Sequence, residues 1–546
     1  LKTDEKKLSP NALITMILNM EADLMWFGGI GTYIKATTES HADAGDKGND
    51  ALRIDATEVR AKVIGEGANL AVTQRARIEY AQNGGRINAD FIDNSAGVDS
   101  SDHEVNIKIL LNKMVDAKNS GMTLKSRNTL LETMTEEVAS LVLAHNYQQA
   151  QALSLMELCA SAHLDNHAFF MRDLEARGLL DRKVEFLPSD DEIEARREKH
   201  KGLTRPELAV LSCYAKITLQ KAILKTSLPS EKLADRWLIG YFPQPLQKKF
   251  EKQIKEHRLK REIFATVLAS TVINRLGPSF VEKLISDTGF SLEEIMNAFV
   301  VVHDVFDLSK IWSDIEALDG KMPAMAQLKA LRELEETVER LMLWFLNSYP
   351  RRISPERDIA LFSKDIQTIK SHLKSAMPEG RRQQISQQIE ALKSDGFTEE
   401  VAEEITLLSP LSAAGDIVLM TQKLKLPIAS VSKVYYKIGE YFSLYWMRKQ
   451  ARYLSAETEW EEQAIALLRE KLYKTQAELA RAYLNDHKEK AASISDEKLQ
   501  IWLGSQESRE ARQVMSLVDS MRSSGSMTLP MLNVAIETLR GLYEKN

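Results

Sequence analysis

At 546 residues the chain is long enough for several domains, and 44% hydrophobic with 27% charged residues is the balance of a folded protein with a large core. Its 72 basic and 78 acidic residues leave a net charge of −6, which argues against a general nucleic-acid or membrane-surface binder. Only Cys159 and Cys213 are present, each in an apolar stretch; this fits a reducing, cytoplasmic setting, not a disulfide framework or a zinc site. Uninterrupted apolar runs stay below about 18 residues, so no transmembrane span is expected. The start, Leu1-Lys2-Thr3-Asp4, has no signal-peptide core and no initiator Met, and reads as a piece of something longer.

Ser9-Pro10 precedes Ala12, Leu13, Met16, Ile17 and Met20; a cap, a proline in the first turn and spacings of three and four predict a helix. The apolar run Leu24-Met25-Trp26-Phe27 stops at Gly28-Gly29, which predicts a strand ending in a tight turn. Gly29 and Gly31 lack the third glycine of a phosphate loop. Residues 36–58 are polar and include His41, Asp43 and Asp46; without a second histidine they read as a solvated loop with a short helix, not as a metal site. A strand over 61–64 leads into Glu66-Gly67-Ala68-Asn69, then a helix bearing Ala71, Ala76, Ile78, Glu79 and Tyr80. Asn83-Gly84-Gly85 is a turn, and Phe91-Ile92 is predicted as a third strand. Ser100 or Ser101 is expected to cap a helix carrying Val105, Ile107, Ile109, Leu110 and Leu111.

Strand, helix, strand, helix at this pitch predicts an open, mostly parallel sheet of the Rossmann-like, dinucleotide-binding kind. Three strands are about half the usual number for such a domain. From about Thr123 the texture is helical. Leu130, Leu131, Met134, Val138, Leu141, Val142 and His145 trace one apolar face, with His145 read as an interface histidine and not a ligand. Prolines from Pro206 to Pro410 mark helix boundaries, and Ile465, Leu467, Leu468, Leu472, Ala477 and Leu479 mark an amphipathic helix. The expected fold is α/β followed by mostly α. It comprises the C-terminal part of a dinucleotide-binding catalytic domain over 1–122 and a large all-helical domain over 123–546, with soft boundaries near 350–360 and 450–460.

The chemistry concentrates in residues 62–108. Asn69 and Asn94 each follow a short apolar run and offer one acceptor and two donors, which suits a ribose hydroxyl or a carboxamide. Ser101, read as lying at a helix start, would favour a carboxylate through its hydroxyl, free N–H groups and the helix dipole. The residues thus suggest a nucleotide pocket beside an anionic small molecule. The alternative is that Asn69 and Asn94 cap turns and Ser101 caps a helix.

Glu66-Gly67-Ala68-Asn69 with Thr73 resembles the EGANxPTT segment of glutamate dehydrogenases, and Asn94-Ser95-Ala96-Gly97-Val98-Asp99-Ser100-Ser101 resembles their NAGGVxxS segment. The wording is closer to the large bacterial NAD-specific class in Phe27–Tyr33, Gly85-Arg86-Ile87-Asn88, Asp93–Asp99, Gly202–Ala209 and Asn274-Arg275. The resemblance covers most of the chain and is most specific in the first 110 residues. It implies NAD as cofactor and L-glutamate and 2-oxoglutarate as substrate and product. It further implies that Asn69 lies against the nicotinamide-side ribose and Asn94 against the nicotinamide carboxamide. Gly28, Gly29 and Gly67 would border the cofactor, and Val98 and Ser101 would line the substrate pocket. Leu70, Ala71 and Val72 depart from the family's Gly-Pro-Thr, Ser95-Ala96 from its Ala-Gly, and Asp99-Ser100 replace usually uncharged positions; Ser100 competes with Ser101 for the pocket role.

The family's chemistry is hydride transfer from Cα to NAD and hydrolysis of the resulting iminium. It needs a lysine of depressed pKa, a proton-transferring aspartate and a Gly-rich pyrophosphate turn. No segment here matches those motifs, so no catalytic residue is assigned to this chain. The fragment alone is expected not to oxidise glutamate; NADH formation from glutamate by the purified fragment would contradict that. A competing reading is a helical scaffold, oligomerisation or regulatory module that retains a vestigial sheet. The size of the helical region points to a homo-oligomer.

Overall fold

Short apolar runs that end in glycine and asparagine build a small parallel sheet near the N-terminus of a chain that is otherwise mostly helical, 71% in all. The computed structural model describes residues 7–117, 121–454, 459–486, 497, 509–524 and 527–544. Leu1–Asp4, and the part of the 450–460 boundary at 455–458, lie outside the described residues. The chain divides into two compact units, Leu1–Met296 and Asn297–Asn546.

In the first unit, α1 (Pro10–Leu18) starts as its sequence predicts: the Ser9 hydroxyl accepts the Ala12 N–H at 3.2 Å and Pro10 opens the first turn. The sheet has the order β1 (Leu24–Phe27), β4 (Val63–Glu66), β5 (Arg86–Ile87), all parallel. A second parallel pair, β2 (Ile34–Lys35) with β3 (Ile54–Asp55), is joined by a Lys35–Asp55 ion pair. Phe27, Ile34, Ile54, Ile64, Ala76, Tyr80 and Ile87 form the core between these strands and α2 (Gln74–Gln82). Thr73 caps α2 through the Ala76 N–H, and the Tyr80 hydroxyl donates to the Ala61 carbonyl at 2.6 Å. The loop between β2 and β3 uses its polar residues internally. Arg53 bridges His41 and Asp50, and Asp46 accepts the Thr32 N–H at 2.9 Å.

Phe91-Ile92 is not a strand. It lies in the single helical turn α3 (Asp90–Asp93), and the third strand is Arg86–Ile87, directly after the Gly84-Gly85 turn. Two adjacent apolar residues carry no period. Here Ile92 packs inward, Phe91 is exposed, and a helical turn brings both Asp90 and Asp93 back to the β4 loop. The next helix, α4 (Ser95–Asp116), begins before Ser100 and Ser101 and buries Ile107, Leu110, Leu111 and Met114. The predicted continuous face from Leu130 to His145 is broken between α5 (Leu124–Thr133) and α6 (Thr135–Leu158), with buried Met134 at the break. Helices α7 (Leu164–Ala176), α8 (Asp190–Glu198), α9 (Arg205–Ile223), α10 (Ala234–Tyr241), α11 (Gln244–Lys255) and α12 (Lys260–Leu276) follow. A second core joins α4 and Met134 to Leu238, Phe242, Leu246, Phe250, Ile254 and Ile263. Helix α9 packs on α2, α6 and α12, which explains why its residues 205–212 are all buried.

The second unit is helical among the described residues. Phe299, Phe362, Tyr435, Tyr436, Phe442 and Tyr483 are among its largest buried side chains. Pro323, Pro355 and Pro378 stand at helix starts. In the helix Glu459–Asp486, Ile465, Leu468, Leu472, Ala477 and Leu479 are buried as predicted, whereas Leu467 is 54% exposed. Among the described residues no single helix is long and apolar enough to cross a membrane; the bent pair Glu399–Leu411 and Ala414–Leu424 passes by length and composition together.

Asp416 is expected to make this unit sensitive to pH. Burial pushes its carboxyl up to about 6, against the stabilising 3.0 Å hydrogen bond from Trp344 Nε1. A carboxyl held above its unfolded value favours the fold while protonated. That contribution is full below about pH 4 and is lost as pH rises through about 6. Asp416→Asn should therefore stabilise the unit by about 1–3 kcal/mol at pH 7.5 and by little at pH 4, read as melting curves at the two pH values. An equal effect at both would remove Asp416 as the cause.

Candidate functional site at the strand ends

Parallel pairing of β1 with β4 aligns Phe27 with Glu66, so the loops that follow leave the sheet at one edge. Gly28 and Gly29 are exposed there, and the Ala68 N–H donates to the Phe27 carbonyl at 3.0 Å. The Trp26 indole lies across Gly65 and Gly67; a Cβ on either would come within 2.5 Å of the ring. Glycine at these positions is what lets the two strand ends approach under the indole. Leu70 turns the loop in the left-handed region (φ 64°), with its side chain exposed.

Asn69 and Asn94 come together. Asn94 Nδ2 donates to Asn69 Oδ1 at 3.0 Å, so the Asn94 side chain does not cap α4 although the residue stands at its N-cap. Among the described residues, Asn69 Nδ2 and Asn94 Oδ1 make no further hydrogen bond. Val98 is 70% exposed, and Ser101 is exposed. At about 100° per residue, Asn94, Val98 and Ser101 share one face of α4, while Ser100 points about 100° away from Ser101 and about 120° away from Asn94. The expectation that Ser101 starts a helix is corrected: α4 begins at Ser95, and the Ser101 hydroxyl donates back to the Gly97 carbonyl at 3.2 Å. The dipole and free N–H groups of the helix start therefore belong to residues nearer Asn94.

Beneath this edge lies an ionic network. Arg77 donates to both carboxylate oxygens of Glu66, at 2.6 and 2.9 Å, and approaches Asp90 at 3.1 Å. Glu66 is fully buried and also accepts the Val72 N–H at 3.1 Å; Asp90 accepts the Leu70 N–H at 2.8 Å. Burial pushes the Glu66 carboxyl up, and Arg77 opposes it; the two short charge-assisted bonds favour the ionised pair. Asp93 accepts the Glu66 N–H at 2.9 Å and the Asn88 amide at 2.7 Å. Asn88 in turn accepts from Arg205 at 2.8 and 3.0 Å, and Arg205 reaches Glu157 on α6 at 2.9 Å. The loops after β4 and β5 are thus fixed from below while their amide groups stay open above. The network residues Arg77, Asp90, Asp93 and Arg205 were not singled out by sequence reasoning, although Asn88 and Arg205 both lie in segments that carried the resemblance.

The chain matches the family model "Bacterial NAD-glutamate dehydrogenase, catalytic domain" over residues 1–156 and the family model "Glutamate dehydrogenase, C-terminal" over residues 200–541. It is 42% identical over 466 residues to an NAD-specific glutamate dehydrogenase of Pseudomonas aeruginosa, covering 85% of this chain and 29% of that protein. It is 36% identical over 542 residues to one of Halomonas elongata, covering 99% of the chain and 33% of that protein. A relative with the same name from Mycobacterium tuberculosis is 33% identical over 534 residues, with 98% and 32% covered. The chain spans about a third of the length of the curated relatives it matches. With a family model matching more than half of its length, the chain belongs to the glutamate dehydrogenase family, whose C-terminal region that model describes.

Proposed function

We propose that this chain forms one wall of the catalytic cleft of an NAD-dependent glutamate dehydrogenase, which oxidatively deaminates L-glutamate to 2-oxoglutarate and ammonia. The observation that carries the reading is the Asn69–Asn94 hydrogen bond of 3.0 Å, which joins the two segments that resemble the family's cofactor and substrate motifs. NAD, when bound, supplies the hydride acceptor. The residues fit its nicotinamide end: an unused amide donor on Asn69 and an unused acceptor on Asn94 suit a ribose hydroxyl and a carboxamide. Gly28 and Gly29 would let backbone approach the cofactor, Gly67 would border it from beneath the Trp26 indole, and the strand-end arrangement fits a Rossmann-like domain. Val98 and Ser101 would line the substrate side, Ser101 donating to the side-chain carboxylate of glutamate. Ser101 is preferred to Ser100 because it shares the α4 face of Asn94 and Val98.

Ser101→Ala in the full-length enzyme should lower kcat/KM for glutamate about tenfold, the loss of one hydrogen bond to a charged group. Unchanged kinetics would take Ser101 out of the pocket. The division of the sequence at residues 122 and 123, a cytoplasmic location in keeping with two free cysteines, and homo-oligomerisation are parts of the same proposal. Sedimentation of the intact protein as a monomer would contradict the last.

A further inference from the structure

The face of α4 turned toward α6 carries a polar set that the cleft does not use. Asp99 and His103 stand four residues apart and so project from one side of the helix. His145 of α6 lies opposite, its Nδ1 2.8 Å from Asp99 Oδ2. His103 Nε2 is 3.8 Å from Asp99 Oδ1, and one ligand atom from each of the three residues falls within 4.8 Å of the others. His103 is fully buried, stacked on Tyr241 at 4.4 Å, and neither of its ring nitrogens has a hydrogen-bond partner. A core histidine in the same unit shows the ordinary solution: His257 uses both nitrogens, one with the Asn106 carbonyl and one with the Leu259 N–H, each at 3.1 Å. Leaving a buried imidazole unsatisfied is unfavourable, because its desolvation is not repaid by any hydrogen bond.

The 3.8 Å separation is too long for a hydrogen bond. Nitrogen and oxygen ligands of one tetrahedral zinc, with bonds of about 2.0–2.2 Å, lie roughly 3.3–3.6 Å apart, so the His103–Asp99 pair is close to that spacing while the Asp99–His145 pair, a 2.8 Å hydrogen bond without the ion, would open to admit it. We propose that Asp99, His103 and His145 bind a divalent cation of the zinc class, which ties α4 to α6 on the side away from the cleft. Two imidazoles and a carboxylate suit Zn²⁺ or Co²⁺, whereas Mg²⁺ and Ca²⁺ favour all-oxygen shells. The Asp99 and His145 side chains are 23% and 40% exposed, so the ion has a route from solvent and a coordination position is left for water. The site also gives a reason for Asp99, which departs from the uncharged residue of the family segment and which the substrate face of α4 does not require.

The test is calorimetric titration of the full-length protein, stripped with chelator, with Zn²⁺; Co²⁺ serves as a spectroscopic probe of nitrogen ligation and Mg²⁺ as control. The proposal expects a Zn²⁺ site that His145→Ala and Asp99→Asn each weaken by about tenfold or more, and no competition by Mg²⁺. His145 sits at the edge of the cluster, so its variant keeps the test decisive if Asp99→Asn fails to fold. Absence of Zn²⁺ binding, or equal affinity in the wild type and the His145 variant, would overturn it.

Discussion

Arg77→Met should destabilise the N-terminal unit by about 3–5 kcal/mol, the cost of leaving buried carboxylates without their cation. Arg77 and Glu66 side chains are 4% and 0% exposed, and Asp90 completes the triad at 3.1 Å. Removing the guanidinium leaves Glu66 and Asp90 facing each other in a low-dielectric setting, where one must take up a proton. Each carboxylate also holds a loop N–H, at Val72 and Leu70, so the segment carrying Asn69 should loosen together with the core. The double variant Glu66→Gln/Arg77→Met should be less damaging than the sum of the singles, since it removes both charges of the closest pair. Urea denaturation of wild type, singles and double reads this coupling directly. A loss below about 1 kcal/mol for Arg77→Met would mean that water reaches the triad and screens it.

What was legible in the sequence was local. Leu24–Phe27 and Val63-Ile64 announce strands because apolar residues run into glycines, and the two strands pair in parallel. Asn69 follows such a run; Asn94 follows Phe91-Ile92, which is a helical turn and not the predicted strand, yet its amide still meets that of Asn69. The apolar period that begins at Val105 places the α4 start too late, because residues 95–101 fill the first turns with small and polar side chains. Those turns have one face open and another against α6, where Asn146 donates to Ser95 at 2.8 Å, so no apolar signal marks them. Arg77 with Glu66, and Arg205 with Asn88, pair across 11 and 117 residues of sequence. Such contacts exist only once the sheet and α9 are in place, and one sequence carries no trace of which charge meets which. The apolar period around His145 predicts an interface histidine, and it does lie at a helix interface, with Asp99, 46 positions earlier, as its partner.

Removing both carboxamides at the sheet edge, Asn69→Ala with Asn94→Ala, should lower kcat/KM of the full-length enzyme about a hundredfold, roughly 3 kcal/mol. Each single variant should lose about 1–2 kcal/mol, the worth of a hydrogen bond whose partner is left unpaired. The singles and the double should not be additive. Asn94 Nδ2 holds Asn69 Oδ1 at 3.0 Å, so deleting either side chain also frees the other from its orientation. The second deletion then removes a group that is already misplaced, and a coupling of about 0.5 kcal/mol or more is expected. Because Asn94 is proposed to orient the nicotinamide carboxamide, its loss should appear in kcat as well as in KM for NAD; a misplaced ring binds but does not present its acceptor carbon. Neither residue contributes to the Glu66–Arg77–Asp90 triad through its side chain, so denaturation midpoints should move little. Strictly additive losses would separate the two asparagines into independent contacts, and unchanged kinetics with an intact fold would leave the strand-end edge without a role in the reaction.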